Sequence, residues 1–140
     1  MKNILLKKSL LILTLLTCLV LPAQSVSAVG AGTLPEFSVF VASVTNGQAK
    51  IVRGVYAPGT LALPVMQQLS DDPESVLRIG GVATQFGLAA RNHVIGLLAH
   101  DDLAGAFFAS LKMGQEVRIV YGDVRVDYYK INRLARFKAP

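Results

Sequence analysis

The chain has 140 residues but only one cysteine and no tryptophan. The cysteine, Cys18, lies in an apolar amino-terminal stretch, so the rest of the chain can form no disulfide and offers no thiol nucleophile. This excludes the small secreted domains that disulfides hold together. Because 52% of the residues are hydrophobic, a single domain can instead bury a core of its own.

The amino terminus has the order of a secretory signal peptide. Three lysines precede an apolar stretch over residues 10–21, and the segment ends in Val-Ser-Ala at Ala28. The apolar stretch is shorter than the roughly 20 residues that a membrane-spanning helix needs. We therefore expect residues 1–28 to be a signal peptide that exports the protein to the exterior or the cell surface. The chain would be anchored in the membrane only if this segment were not cleaved.

Few residues suit a nucleic acid or a metal ion. Without residues 1–28 the net charge falls from +5 to +2, and no remaining stretch interleaves basic and aromatic residues as a nucleic-acid surface does. The two histidines, His93 and His100, have opposite parity across one apolar run, and the adjacent Asp101 and Asp102 rarely converge on one ion. We predict no nucleic-acid partner, no metal and no cofactor.

Two runs of β-branched and aromatic residues follow a flexible leader over residues 29–36. They cover residues 37–45 and 49–56 and are separated by Asn46-Gly47, which is a strong hairpin signal because both residues tolerate positive φ. The pattern predicts a pair of antiparallel strands. A turn at Pro58-Gly59 then leads into a short third strand.

The spacing of the apolar residues changes at His100. Residues 94–99 are continuously apolar, which is typical of a strand covered on both faces. Beyond them, four apolar residues at helical spacing predict one short amphipathic helix, with Asp101 or Asp102 as its N-cap and Gly114 beyond its end. The four residues are Leu103, Phe107, Phe108 and Leu111.

Two further strands are predicted near the carboxyl terminus. Residues 116–121 alternate polar and apolar side chains, Gly122-Asp123 fits a type II′ turn, and strand-like sequence runs from residue 125 to residue 140. A long last strand presents an unpaired edge, which either the basic residues of the tail protect or missing partner strands would cover. The fold class predicted for residues 37–140 is therefore mainly β.

The order of features over residues 94–131 resembles the sortase family of secreted cysteine transpeptidases. The segment, VIGLLAHDDLAGAFFASLKMGQEVRIVYGDVRVDYYKI, contains an apolar strand that ends in a histidine and a Phe-x-x-Leu pattern at 108–111. The sequence Gly-Gln-Glu-Val at 114–117 then leads into a strand, and a tyrosine-rich strand follows. His100 occupies the position of the family's catalytic histidine, although the family more often has Gly-His than Ala-His there. The resemblance implies an incomplete sortase-like β-barrel with one short amphipathic helix.

The resemblance also implies a chemistry. In the family a cysteine thiolate cleaves a peptide bond in a sorting signal and the acyl group passes to an amine, while an arginine stabilises the oxyanion. His100 would serve as the general acid and base. The family's cysteine and arginine lie on strands beyond Pro140, so we expect residues 37–140 to be truncated and inactive alone. Ser110 could be proposed as a substitute nucleophile, but the sequence shows no base to activate it. His93 matches no role in the family and is expected to be a loop residue.

Three functions remain open on this basis. The first is a sortase-like exported domain of cysteine transpeptidase ancestry, whose partners in a complete homologue are peptide sorting signals. The second is a small exported β-rich binding or structural module without catalysis. The third and most distant is an enzyme that acts through His100 and an acid. Residues 34–37, Leu-Pro-Glu-Phe, lack the Thr-Gly of a sortase substrate, so the chain does not resemble one.

Overall fold

The computed structural model describes residues 33–69 and 75–136, which form a six-stranded mixed sheet curved into a half-barrel. The strands are β1 (Val52–Ala57), β2 (Leu61–Gln67), β3 (Ala83–Gln85), β4 (Leu97–Leu98), β5 (Glu116–Tyr121) and β6 (Val126–Lys130). Their order in the sheet is β4-β3-β2-β1-β5-β6, and every neighbouring pair is antiparallel except β2 and β3. The prediction of a mainly β fold is confirmed.

Short helices join or flank the strands in the described part of the chain. They are α1 (Phe37–Val44), α2 (Gly87–Arg91) and α3 (Ala106–Ala109), with a π-helical turn over Asp101–Gly105 directly before α3. The sequence analysis predicted one helix and therefore underestimated the number of helices. None of the helices seen in the described ranges has the length and apolar character that crossing a membrane requires.

The segment predicted as the first strand is helix α1. Its residues favour strands locally, but Phe37, Phe40 and Val44 recur at helical spacing and pack against one face of the sheet. Glu36 begins the helix by accepting a hydrogen bond from the Ser38 N–H at 3.1 Å. Because strand propensity depends on the packing available, burial of Phe40 overrides it here.

The sheet separates two apolar clusters. The outer cluster lies under α1 and includes Phe40, Tyr56 and Val120. The inner cluster fills the concave side, where Val55 and Ile119 are cross-strand partners. Residues 95–111 pack over the inner cluster through partly buried side chains, which are Ile95, Leu97, Ala99, Phe107, Phe108 and Leu111.

Neither of the two turns that were predicted from a glycine has the predicted form. Asn46-Gly47 joins no hairpin, although Gly47 has a φ of +82°; its N–H donates to the Gly122 carbonyl at 2.7 Å. The β5–β6 turn is not type II′, because its positive φ lies at Val124 (65°) rather than at Gly122. The Val124 N–H donates to the Tyr121 carbonyl at 3.2 Å, and Val124 itself is the left-handed residue that completes the reversal.

Position 122 requires a glycine because a larger residue would not fit there, and not because of its dihedral angles. A Cβ at this position would lie 2.5 Å from both Asn46 Oδ1 and the Gln48 carbonyl oxygen. We expect Gly122→Ala to lower the free energy of unfolding by about 2 kcal/mol, as overpacking typically does. Gly80→Ala is the matched control, since a Cβ there meets nothing within 4 Å. Urea unfolding curves measure both, and equal midpoints would contradict the close packing of these turns.

Two strand boundaries were also overestimated. The apolar run over residues 94–99 forms a strand only at Leu97–Leu98, and it is not covered on both faces, because Val94 is exposed and residues 95–99 are half-buried. Strand β6 ends at Lys130 and residues 131–136 are irregular, so the expected extension of the last strand is wrong there. Residues 137–140 lie outside the described residues.

Most of the amino-terminal leader and the whole of the predicted signal peptide also lie outside the described residues. Where the description begins, the chain already contacts the domain. Leu34 packs beside the outer cluster, and the Pro35 carbonyl accepts a hydrogen bond from the Tyr56 hydroxyl at 3.1 Å. These contacts fix the direction from which the chain enters α1.

Candidate functional site

A cleft of about 720 Å³ opens on the inner, concave face of the half-barrel. One wall comes from β1, β5 and β6, and the other from the segment that leads into β4, with Phe108 of α3 beside it. The residues that line it are Val55, His93, Val94, Ile95, Leu97, Phe108, Val117, Ile119, Tyr121, Asp127 and Tyr129.

Strand periodicity decides which side chains reach this cleft. Alternate residues of β5, Val117, Ile119 and Tyr121, point to the inner face. Register then places Tyr129 opposite Val117 and Asp127 opposite Ile119, so the inward side chains of β6 continue the same surface. The alternation that predicted β5 and β6 thus also builds one wall of the cleft.

The wall changes from apolar to polar towards β6. Ile119 is 4% exposed and belongs to the inner cluster, whereas Tyr129 is 47% exposed. Val117, which lies on β5 opposite Tyr129, is half-buried. A cleft with an apolar floor and a few polar groups at its edge is the usual form of a binding site for a small molecule or peptide.

Three side chains of the β5–β6 hairpin form a polar network at this edge. The Tyr121 hydroxyl donates to Asp127 Oδ2 at 2.8 Å, and Arg125 donates to both carboxylate oxygens of Asp127 at 3.0 Å. The guanidinium of Arg125 also lies 3.5 Å from the centre of the Tyr121 ring. Asp127 is therefore fully engaged and is poorly placed to act as a free general base.

Burial raises the pKa of the Tyr121 hydroxyl, and its hydrogen bond to Asp127 raises the pKa further. The phenol consequently keeps its proton at neutral and mildly alkaline pH and continues to donate to the carboxylate. The network fixes the position of Asp127 in the cleft rather than supplying a reactive group.

His93 was expected to be a loop residue without a role, and the structure places it in the turn after α2, where its side chain lines the cleft. Its φ is +57°, and its N–H donates to the Ala90 carbonyl at 3.1 Å. The preceding Asn92 marks a helix end, since a left-handed turn commonly follows one. The sequence therefore indicated the turn, but not the surface that the turn faces.

His100, the predicted catalytic residue, lies two positions beyond β4 at the end of the apolar segment. Its Nε2 is 3.2 Å from the Val76 carbonyl oxygen. Its own carbonyl accepts hydrogen bonds from Leu103 at 3.0 Å and Gly105 at 2.8 Å. His100 is not among the residues that line the cleft, so the two histidines belong to different surroundings.

The predicted N-capping by Asp101 and Asp102 is wrong. Asp101 Oδ1 accepts a hydrogen bond from the adjacent Asp102 N–H at 2.9 Å, and the Asp102 carboxylate pairs with Arg78 at 2.7 Å. The backbone turns sharply at Leu103 (φ −124°, ψ −115°), which breaks the expected ten-residue helix. Gly105 permits this fold, because a Cβ there would lie 2.7 Å from the His100 carbonyl oxygen.

Neither a serine nucleophile nor a metal cluster emerges around these residues. The Ser110 hydroxyl donates to the Phe107 carbonyl at 2.7 Å, a local bond at the end of α3. Within residues 33–69 and 75–136, no three His, Cys, Asp or Glu side chains come close enough together to hold a metal ion.

The cleft and the His100 loop are thus two places on the described chain where polar side chains lie beside an apolar surface. Comparison with known proteins adds no identity to them: no family model, no curated protein and no solved structure matches the chain.

Proposed function

We propose that this protein is a sortase-like exported domain that binds an extended peptide in its concave cleft and does not by itself transfer the acyl group. The cleft is the observation on which the proposal rests. It is lined by inward-facing residues of four strands, has an apolar floor at Ile119 and carries polar groups at its β6 edge.

The sortase element of the proposal is supported by the pattern over residues 94–131. In that pattern an apolar segment leads to His100, a short helix follows, and two antiparallel strands complete the segment. These elements lie on one curved sheet, and both the cleft and the apolar segment belong to its concave side. The curved sheet and the cleft on its concave side are the structural features that support this element of the proposal.

Binding without catalysis is supported by the side chains available. Cys18 is the chain's single cysteine and lies in the predicted signal peptide, so the expected exported product contains no thiol nucleophile. The His100 ring is held against the Val76 carbonyl and lies apart from the residues that line the cleft. A general acid without a nucleophile cannot form an acyl-enzyme.

The decisive experiment starts from the full-length gene: the ¹⁵N-labelled protein that the expression host exports is titrated with blocked Leu-Pro-Ala-Thr-Gly. We expect shifts of the amide resonances of β5, β6 and residues 93–97, with no cleavage of the peptide and no transfer to triglycine. A scrambled peptide of the same composition is the control. Equal binding of both peptides would favour the alternative of a general β-rich binding module, and absence of any shift would refute the proposal.

Export is the second component of this proposal and rests on the basic head, the apolar stretch and the small residues that end at Ala28. The expected exported product begins at Val29. The intact mass of the protein recovered outside the cell decides this, since a retained amino terminus would indicate an anchored protein.

A further inference from the structure

Strand β6 is the last strand of the sheet, and within residues 33–69 and 75–136 no strand pairs with its outer edge. The Tyr121 N–H donates to the Arg125 carbonyl at 2.9 Å, which begins the bonding of this hairpin at an odd-numbered residue. Because bonding alternates along an antiparallel pair, the even-numbered residues of β6 point their N–H and C=O groups away from β5. These residues are Val126, Tyr128 and Lys130.

The β6 edge lacks the usual features that keep a sheet edge single. Such edges commonly carry a proline or a bulge or are covered by another segment. Strand β6 contains no proline, pairs with β5 without a register shift from Val126 to Lys130, and is exposed at residues 128–130. The charge of Asp127 is already paired with Arg125. The edge can therefore accept a further strand.

The charges on either side of Tyr128 show which strand fits this edge. Residues 123–127 contain two aspartates and one arginine, whereas residues 130–136 contain one lysine, two arginines and no acid. A second copy that runs antiparallel brings the basic segment of each chain beside the acidic segment of the other. A parallel copy would place the two basic segments together. The edge is therefore complementary to itself in the antiparallel direction.

We infer that two copies of this protein pair through their β6 edges about a two-fold axis at Tyr128. The register that overlaps the whole strand places Tyr128 opposite Tyr128 of the second copy, Val126 opposite Lys130, and Asp127 opposite Tyr129. No like charges face each other in this register, and about six backbone hydrogen bonds form between the three pairs of even-numbered residues. Such an interface is isologous, as in most homodimers.

This pairing goes beyond the proposed function and does not depend on peptide binding. A two-fold axis perpendicular to the sheet keeps both concave faces on the same side. Asp127 and Tyr129, which line the cleft, would then meet Tyr129 and Asp127 of the second copy, so the two clefts would adjoin. An interface made by one short strand from each copy is small, and we expect a weak, reversible dimer.

Sedimentation velocity of the purified protein over a range of concentrations tests the self-association. We expect a monomer at about 1 μM and mainly dimer at about 300 μM, with a Kd on the order of 50 μM. A protein that remains monomeric at the highest concentration would overturn the inference.

A charge exchange at position 128 tests the two-fold register. Tyr128→Lys and Tyr128→Glu each place like charges opposite one another, so each variant alone should have a Kd at least about 30-fold higher than the wild type. An equal mixture of the two should associate again, to within about threefold of the wild type, because opposite charges then meet. Tyr128 is 62% exposed, and circular dichroism verifies that both variants fold.

Leu88→Lys is the matched control for these variants. Leu88 is 50% exposed and lies on α2, which is joined to β3 and β4 at the other edge of the sheet. This substitution should leave the Kd within about threefold of the wild type. If Tyr128→Lys associates as tightly as Leu88→Lys, or if the mixture of charged variants stays monomeric, pairing at Tyr128 is refuted.

Hydrogen exchange of the wild-type protein identifies the occupant of the edge. With single-residue resolution by mass spectrometry, the N–H groups of Val126, Tyr128 and Lys130 should exchange about threefold more slowly at 300 μM than at 1 μM, as the dimer fraction predicts. The Asp127 and Tyr129 N–H groups bond to β5 and should be slow at both concentrations. If blocked Leu-Pro-Ala-Thr-Gly protects the edge and protein concentration does not, the peptide occupies it and the inference is overturned.

Discussion

Phe40→Ala lowers the free energy of unfolding by about 3 to 5 kcal/mol, the usual cost of emptying a buried aromatic site. Phe40 is 3% exposed, and its ring centre lies 5.5 Å from that of Tyr56 on β1. The ring also fills the space above Gly54, where a Cβ would approach it to 2.8 Å. Removing the ring leaves a cavity between α1 and the sheet, and Gly54 has no side chain that could fill it.

The loss is large relative to the whole. A domain of this size has a total stability of about 5 to 15 kcal/mol, so Phe40→Ala brings the protein close to its unfolding threshold. Val39→Ala is the matched control, because Val39 lies on the same helix but is 58% exposed. It should change the free energy by no more than about 0.5 kcal/mol.

Urea unfolding followed by circular dichroism measures both variants. If the two lose similar stability, α1 does not pack as a helix with one buried face. The comparison therefore tests the position at which the sequence-based prediction and the structure differ most.

That difference has a physical cause. The segment FSVFVASV carries β-branched and aromatic residues, and these favour a strand when they are considered singly. Phe37, Phe40 and Val44 also fall at helical spacing, so the same eight residues satisfy both patterns. Only the outer face of the sheet, assembled from distant strands, decides between them by offering Phe40 a buried site.

Strand β5 could be predicted to the residue because its information is local, whereas β6 was predicted to continue beyond Lys130, where it ends. EVRIVY alternates cleanly, and a short turn directly follows it. The helix after His100 was harder to predict, since its apolar spacing was correct but the turn at Leu103 interrupts it. That interruption depends on hydrogen bonds to the His100 carbonyl, which no periodicity reveals.

The cleft could not be predicted, because it has no sequence motif. His93, Phe108 and Tyr129 come from separate segments that meet only when the sheet curves. The sequence drew attention to His100 through its family resemblance, whereas His93 could be assigned only to a loop. A binding surface made of side chains that also belong to the core gives little signal of its own.

Tyr129→Ala weakens binding of blocked Leu-Pro-Ala-Thr-Gly by about 30-fold, roughly 2 kcal/mol, if this tyrosine is an aromatic anchor of the proposed site. Tyr129 lines the cleft and is 47% exposed, so its removal takes away contact surface for the ligand with little effect on folding. Its position opposite Val117 places it where the apolar floor meets the polar rim.

Tyr128→Ala provides the matched control on the same strand. Tyr128 is 62% exposed but projects to the outer face, where its ring centre lies 5.6 Å from the guanidinium of Arg118. Its loss should change peptide binding by about threefold or less, as expected for a residue outside an interface. Calorimetric titration of the two variants, with urea midpoints to verify folding, separates the faces of β6. Equal losses in both variants would place the peptide at the edge of the sheet, since only there could both tyrosines contact it, and would refute binding within the cleft.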